Sequence, residues 1–233
     1  MNPQTTSAFV FAGSAVVILG ILAAVILLII KSRRQIKASQ DTLEQLGFVI
    51  EKKPDSELKR AAFAAVGAPK ALHHGHSNIK WVGVTEIESR RVTLLTHAYT
   101  VHTGHAMIVI QHIVIGIACP VLLGTATIAP RNGLRRWFCE KLGLAPKPAN
   151  WQRELALRFL LNPDKFPRVA DALANPDAQA ALALLPKGAS LNLADGVVSL
   201  SQQAEPRPEV IQPLLESVLR IADVLGSSEQ RSV

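Results

Sequence analysis

The sequence predicts an α+β protein, with a single N-terminal transmembrane helix followed by a cytoplasmic domain in which an antiparallel sheet packs against short helices. Three observations lead to this prediction. Residues 8–30 carry no charge, residues 79–118 show the period of two that is typical of strands, and apolar residues recur at helical spacing on both sides of that region. The 233 residues are enough for one domain with a sizeable core.

The uncharged run from Ala8 to Ile30 ends abruptly at Lys31. A helix of this length spans about 34 Å, which is enough to cross a hydrocarbon core of roughly 30 Å. A buried core helix is one alternative, but such helices are seldom apolar on every face. A cleaved signal peptide is another, but it would need a basic segment before the run and a shorter apolar stretch. We therefore predict a transmembrane helix over 8–30, with residues 1–7 as an extracytoplasmic N-terminus.

The basic residues around the run give it a direction. Four of them follow it directly: Lys31, Arg33, Arg34 and Lys37. No Lys or Arg precedes it, so the positive-inside rule predicts a bacterial inner-membrane protein with its N-terminus outside and its domain in the cytoplasm. The same four residues are predicted to contact the membrane surface through anionic lipid headgroups, which makes the lipid bilayer the first expected partner.

The overall composition bounds the other partners. The net charge is +7 and the pI is near 9.7, but much of the basic excess lies beside the predicted membrane helix. Aromatic residues make up only 5% of the chain, which offers few stacking platforms, so we expect no nucleic-acid partner. Cys119 and Cys139 are expected to be reduced thiols in a cytoplasmic domain, whereas a disulfide between them would require the opposite topology.

The first part of the domain combines helices with a meander of strands. The basic juxtamembrane helix 31–46 ends before Gly47, where the domain 47–225 begins with an extended segment. A second helix begins at Asp55 or Ser56 and ends at Gly67. Four strands are then predicted: Ile79–Thr85, Arg91–Val101, His105–Ala118 and Val121–Ile128.

The short turns between these strands predict antiparallel pairing. The run Met107–Ile117 is almost entirely apolar and is therefore expected to be central and buried on both faces. A second membrane span over 106–128 is the alternative, which Gln111, His112 and the β-branched residues argue against.

The C-terminal part alternates short helices and strands. The predicted elements are a helix 134–142, a strand 155–161, helices 166–173 and 176–185, a hairpin 189–201 and an amphipathic helix 208–225. The hairpin is placed by the turn Asp195-Gly196, and Asn175 is expected to cap the helix that follows it. In total we expect five to seven strands and three to five helices, with a disordered tail over 226–233.

Histidine is the most suggestive residue type for chemistry. All seven histidines lie between His73 and His112, and the candidate metal ligands among them are His73, His76, His102 and His105. They would converge if the loop and the turn that carry them met at one end of the sheet. Strand alternation places His102 on the opposite face from His105, and no Cys pair or H-E-x-x-H pattern accompanies them. The alternative is that they are polar loop and turn residues.

Motifs for other chemistry are missing from the sequence. It contains no G-x-S-x-G, no G-x-G-x-x-G and no P-loop pattern. Glu86 and Glu88 share a strand face but are followed by Arg90 and Arg91, as at a solvated strand end. We therefore assign no catalytic residue and no cofactor-binding residue, and we expect no cofactor.

From Leu46 onward the layout resembles that of uncharacterised bacterial membrane-anchored proteins of unknown function. The resemblance rests on Tyr99-Thr100, Gly104 and Gln111 in the central hairpin, and on Phe159 followed by Phe166. It implies a membrane-anchored domain and carries over no activity or site residue.

Three functions follow from these features. The first is a non-enzymatic binding or regulatory module held at the membrane. The second is a structural subunit of a membrane complex, docking through the anchor and the helix 208–225. Small residues at Ala8/Ala12 and Gly20/Ala24 would permit a membrane-protein partner or a homodimer through the anchor. The third is a metal-dependent enzyme that uses the histidine-rich segment His73–His112.

Overall fold

The computed structural model describes residues 3–68, 75–104, 106–119, 124–131, 151–161, 166–194 and 196–230, with the side chains of the first helix described from residue 21 onward except 28, 29 and 32. The helices are α1 (Pro3–Gln45), α2 (Ser56–Ala65), α3 (Arg153–Arg158), α4 (Pro167–Ala172), α5 (Pro176–Ala183) and α6 (Pro208–Gln230). The strands are β1 (Val49–Glu51), β2 (Ile79–Ile87), β3 (Arg90–Thr103), β4 (Ala106–Ala118), β5 (Ala126–Pro130), β6 (Phe159–Leu160), β7 (Ser190–Ala194) and β8 (Val197–Gln203). A short 3-10 helix, Gly75–Asn78, precedes β2.

The N-terminal helix is present but does not match the predicted span. α1 continues without a break from Pro3 to Gln45. None of the helices in the described part of the chain combines the length and the apolar character needed to cross a membrane. This finding contradicts the single-pass transmembrane helix over 8–30, and with it the inner-membrane location, the outside N-terminus and the cytoplasmic domain.

The end of α1 is fixed by a glycine turn and by packing. Gly47 adopts a φ of 82°, and the amides of Gly47 and Phe48 donate to the carbonyls of Glu44 and Leu43. This pair of hydrogen bonds is a Schellman motif, which ends the helix where the sequence predicts. Leu43 is fully buried, so the last turns of α1 pack onto the domain.

The strands form an antiparallel sheet in the order β1-β2-β3-β4-β8-β7-β5-β6, in which β6 has only two residues. The meander from β2 to β4 and the hairpin of β7 and β8 lie as predicted. β5 differs, because it pairs with β7 and β6 and not with β4. The described part of the predicted fourth strand, β5, therefore lies beside β6, near the edge of the sheet opposite β1.

Helices cover both faces of the sheet. On one face, α2 packs through Ala62 and Val66 against Leu95 and Val114. On the other face, α6 packs against β4 and β8, and α3, α4 and α5 extend the same core. Each strand contributes alternate side chains to the two layers, as the period of two requires.

Two local predictions are corrected, the strand 155–161 and the disordered tail from 226 onward. Residues 153–158 form helix α3 and not a strand, and only Phe159 and Leu160 are extended. α6 continues past the predicted end at Leu225 to Gln230. The predicted helix 134–142, with Cys139, lies outside the described residues, whereas Cys119 is a buried thiol whose Sγ lies 3.7 Å from the carbonyl oxygen of Ala222.

Candidate functional site

An open groove of about 700 Å³ lies between the C-terminal part of α1 and one end of the sheet. We call it the basic groove. Its lining residues are Ile36, Gln40, Lys52, Lys53, Pro54, Lys59, Ser77, Ile79, Lys80, Trp81, Thr96, His97, Ala98, Val109, Gln111 and Pro206.

The groove exists because neighbouring strands stop at different levels. β1 pairs with β2 only as far as Glu51, and the chain then leaves the sheet through Lys52 and Lys53. β2 begins at Ile79, opposite His97, whereas β3 and β4 continue beyond that level as a two-stranded ribbon. The missing length of β1 and β2 leaves space beside the ribbon.

A register irregularity adds a positive charge to this space. The pairing of β2 with β3 shifts between Ile79 and Trp81, and Lys80 lies at the shift. Such an irregularity turns a side chain away from the regular alternation of the strand. Lys80 is exposed and lines the groove, whereas Ile79 and Trp81 on either side of it are buried.

The polar lining is strongly cationic. Four of the lining residues are lysines, and the described lining includes no carboxylate side chain. Lys52, Lys53 and Lys80 are exposed, and Lys59 on α2 is half-buried. Positive charges lining a cleft raise the local concentration of an anion.

Other residues of the groove lining are apolar. Trp81 contributes an aromatic face and is 7% exposed, and Ile79, Ile36 and Val109 contribute aliphatic side chains. Thr96 lies among them with its Oγ1 buried, and that hydroxyl makes no hydrogen bond to the residues that the structure describes.

The wall formed by α1 is held in place by a buried contact. Ser39 is fully buried, and its hydroxyl is in hydrogen-bond contact with the carbonyl oxygens of Gln35 and Pro206. Pro206 itself lines the groove. This contact ties α1 to the segment before α6, so Ile36 and Gln40 are fixed relative to the sheet.

The predicted membrane-surface residues are on the same helix. Lys31, Arg33, Arg34 and Lys37 are exposed on α1, and the next turns of that helix carry Ile36 and Gln40 into the groove lining. Their proposed contact with anionic lipid stays a prediction.

Two of the four candidate metal ligands lie among the described residues. His73 and His105 lie outside the described residues. His76 packs beside Phe63 of α2, with ring centroids 6.5 Å apart, and His102 is exposed on β3, opposite Met107. Among the residues that the structure describes, no three His, Cys, Asp or Glu side chains are placed to hold a metal ion. The four-histidine site therefore stays a prediction.

Two other histidines form an aromatic cluster that the sequence did not indicate. His97 and His112 are cross-strand partners, and Tyr99 stacks on His112 at a centroid distance of 5.9 Å. His97 is fully buried and lies 5.7 Å from the Tyr99 ring. The cluster stiffens the base of the ribbon beside the groove.

Sequence reasoning missed the basic groove as a whole. The only local signal was Lys52-Lys53-Pro54. A proline there indicates that the chain leaves the strand, which places the two lysines at the end of the sheet. The other lining residues come from segments far apart in the chain, which only the folded sheet brings together.

No protein-family model matches this sequence, and no curated protein is significantly similar to it. A solved structure that resembles the chain is the crystal structure of the mycobacterial trehalose monomycolate transport factor A, TtfA. The TM-score is 0.49 at 13% sequence identity, and the alignment covers 81% of this chain and 93% of the other. At this level the likeness carries no functional argument.

Proposed function

We propose that this protein is a non-enzymatic binding module whose basic groove holds an anionic amphiphile, a molecule with a negatively charged headgroup and an apolar chain. The observation that carries the proposal is that the groove lining combines two chemistries. Four lysines and the apolar side chains of Trp81, Ile79 and Val109 line the same groove. Ligand sites in proteins combine a mainly apolar wall with a few placed polar groups in the same way.

The groove has the size that such a ligand needs. Its volume of about 700 Å³ lies within the roughly 300–1,000 Å³ of typical small-molecule sites. Its open shape allows the end of an apolar chain to extend into solvent or into a lipid phase. The amide of Gln111 supplies an uncharged polar group for an ester or hydroxyl of the ligand.

Binding of a monomeric anionic lipid to the full chain tests the proposal. The probe is phosphatidylglycerol with six-carbon acyl chains, measured by calorimetry below its micelle concentration. Phosphatidylcholine of the same chain length, which is zwitterionic and has no net charge, is the control. We expect binding of the anionic lipid only, and weaker binding at high salt because exposed charges are screened.

The lysines supply the matched variants. We expect Lys59→Gln combined with Lys80→Gln to weaken binding about tenfold, since each exposed charge pair contributes about 0.2–1 kcal/mol and a half-buried one more. Lys187→Gln is the control, because Lys187 is exposed and lies outside the groove lining. Equal affinity of the double variant and wild type for the anionic lipid would rule out the groove as the binding site.

A further inference from the structure

Three apolar residues of β4 lie near the end of the ribbon that β3 and β4 form, and we call them the ribbon tip. Met107, Ile108 and Val109 are 68%, 49% and 56% exposed. The sequence predicts this stretch to be buried on both faces, and the structure shows why it is not. β8 pairs with β4 only from His112 onward, so the preceding residues of β4 pair only with β3 among the described strands.

The tip is continuous with the basic groove. Val109 belongs to both, since it is exposed on the ribbon and also lines the groove together with Lys80. Of the residues opposite the tip on β3, Thr100 and His102 are exposed and polar, and Val101, opposite Ile108, is half-buried. Met107 and Val109 share one face of the ribbon and Ile108 lies on the other, so the apolar patch on each face is small. Val109 joins its patch to the lining that carries the groove lysines.

We propose that this ribbon tip docks into the surface of an anionic lipid bilayer, so that the groove takes its ligand from the membrane. Charge complementarity favours this occupant: an anionic bilayer interface accepts a few apolar side chains while its headgroups contact neighbouring lysines. A protein partner would need about 800 Å² from each side, whereas three partly exposed side chains offer at most a few hundred Å². The part of this inference that concerns uptake of the ligand from the membrane rests on the proposed function of the groove.

A reporter on the tip of the full-length chain tests this docking. The variant Met107→Trp is mixed with vesicles of phosphatidylcholine containing about a third phosphatidylglycerol, and the wild-type spectrum is subtracted. We expect the added emission to shift to shorter wavelength and to be quenched by lipids with brominated acyl chains. Vesicles of phosphatidylcholine alone should produce a much smaller shift, because the lysines then have no anionic headgroups to contact.

The matched control is Leu184→Trp. Leu184 is 59% exposed and lies on the loop after α5, away from the ribbon. Its reporter should remain in water when the vesicles are added. A Met107→Trp signal that vesicles leave unchanged, or equal shifts at both positions, would overturn the inference. A shift that appears without vesicles as the protein concentration rises would also overturn it, in favour of a second copy of the chain.

A further pair of substitutions separates this inference from the proposed function. We expect Met107→Ser combined with Ile108→Ser to bind monomeric six-carbon phosphatidylglycerol as wild type does, while binding of the tip to vesicles falls about tenfold or more. If wild type does not bind the monomeric lipid, the groove proposal fails whatever the reporter shows. If wild type binds it and the Met107→Trp reporter does not move, the docking inference alone fails.

Discussion

Gly116 shows at the level of one residue how α2 is seated on the sheet. A Cβ atom built on Gly116 would lie 2.8 Å from the Cα of Val66, at the end of α2. Beside it the hydroxyl of Ser199 donates a 2.8 Å hydrogen bond to the carbonyl oxygen of Val66. The missing side chain lets the helix end reach the strand, and Ser199 satisfies the carbonyl that is buried there.

We predict that Gly116→Ala destabilises the fold by about 1–3 kcal/mol, because the methyl group meets backbone atoms that cannot move independently of α2. Denaturant unfolding measures the change. The control is Gly226→Ala in α6, where an added Cβ meets nothing within 4 Å and helix propensity favours alanine by up to about 1 kcal/mol. Equal stability of the two variants would contradict the tight contact between α2 and β4.

At the level of elements, the sequence predicts those helix ends and turns that are fixed by interactions between residues close together in the chain. Asp55 caps α2 by accepting a hydrogen bond from the amide of Leu58, and Gly67 ends the helix at a φ of 74°. The hairpin of β7 and β8 follows from its alternation and its short turn. The helix α3 was mistaken for a strand because its six residues are too few for a helical period to stand out.

The junction between α1 and the domain carries a second stability prediction. Leu43 is fully buried at the end of α1, within the same core as Phe48 and Trp81. We predict that Leu43→Ala costs about 2–5 kcal/mol, since it removes a large side chain and leaves a cavity. Leu46→Ala is the control, because Leu46 is 39% exposed and its removal should cost about 1 kcal/mol or less.

The same variant connects stability to the groove, because Ile36 and Gln40 of α1 form one of its walls. Under conditions where Leu43→Ala remains folded, a loosened α1 should weaken binding of the anionic amphiphile. Unfolding midpoints and calorimetric affinities of the two leucine variants check both effects. A Leu43→Ala variant as stable as Leu46→Ala would show that α1 is not seated on the core as described.

At the level of the whole molecule, the individual helices and strands were predicted better than their arrangement in the fold. The α+β layout and the β2–β4 meander follow from periodicity. The position of β5 beside β7 does not, because pairing between distant strands leaves no local pattern. Burial of Met107–Val109 was mispredicted for a related reason: apolar alternation cannot reveal where the neighbouring strands stop.

The basic groove shows the same limit for function. Its lining comes from α1, the segment after β1, α2, the starts of β2 and of the ribbon, and the segment before α6. The histidine-rich segment drew attention because its residues are close in sequence, whereas the groove lysines and Trp81 become neighbours only in the fold. The uncharged run 8–30 likewise forms a helix without meeting the requirements for a membrane span in the described part of the chain.

Quenching of tryptophan emission by an anionic lipid with brominated acyl chains tests the central claim most directly. Bromine quenches at short range, and Trp81 lines the groove. We predict that six-carbon brominated phosphatidylglycerol quenches the wild-type protein with saturable binding, and that Trp81→Phe removes most of the saturable quenching while the affinity measured by calorimetry is largely kept. Saturable quenching of the same size in wild type and Trp81→Phe would contradict the claim, because the apolar chain would then lie elsewhere.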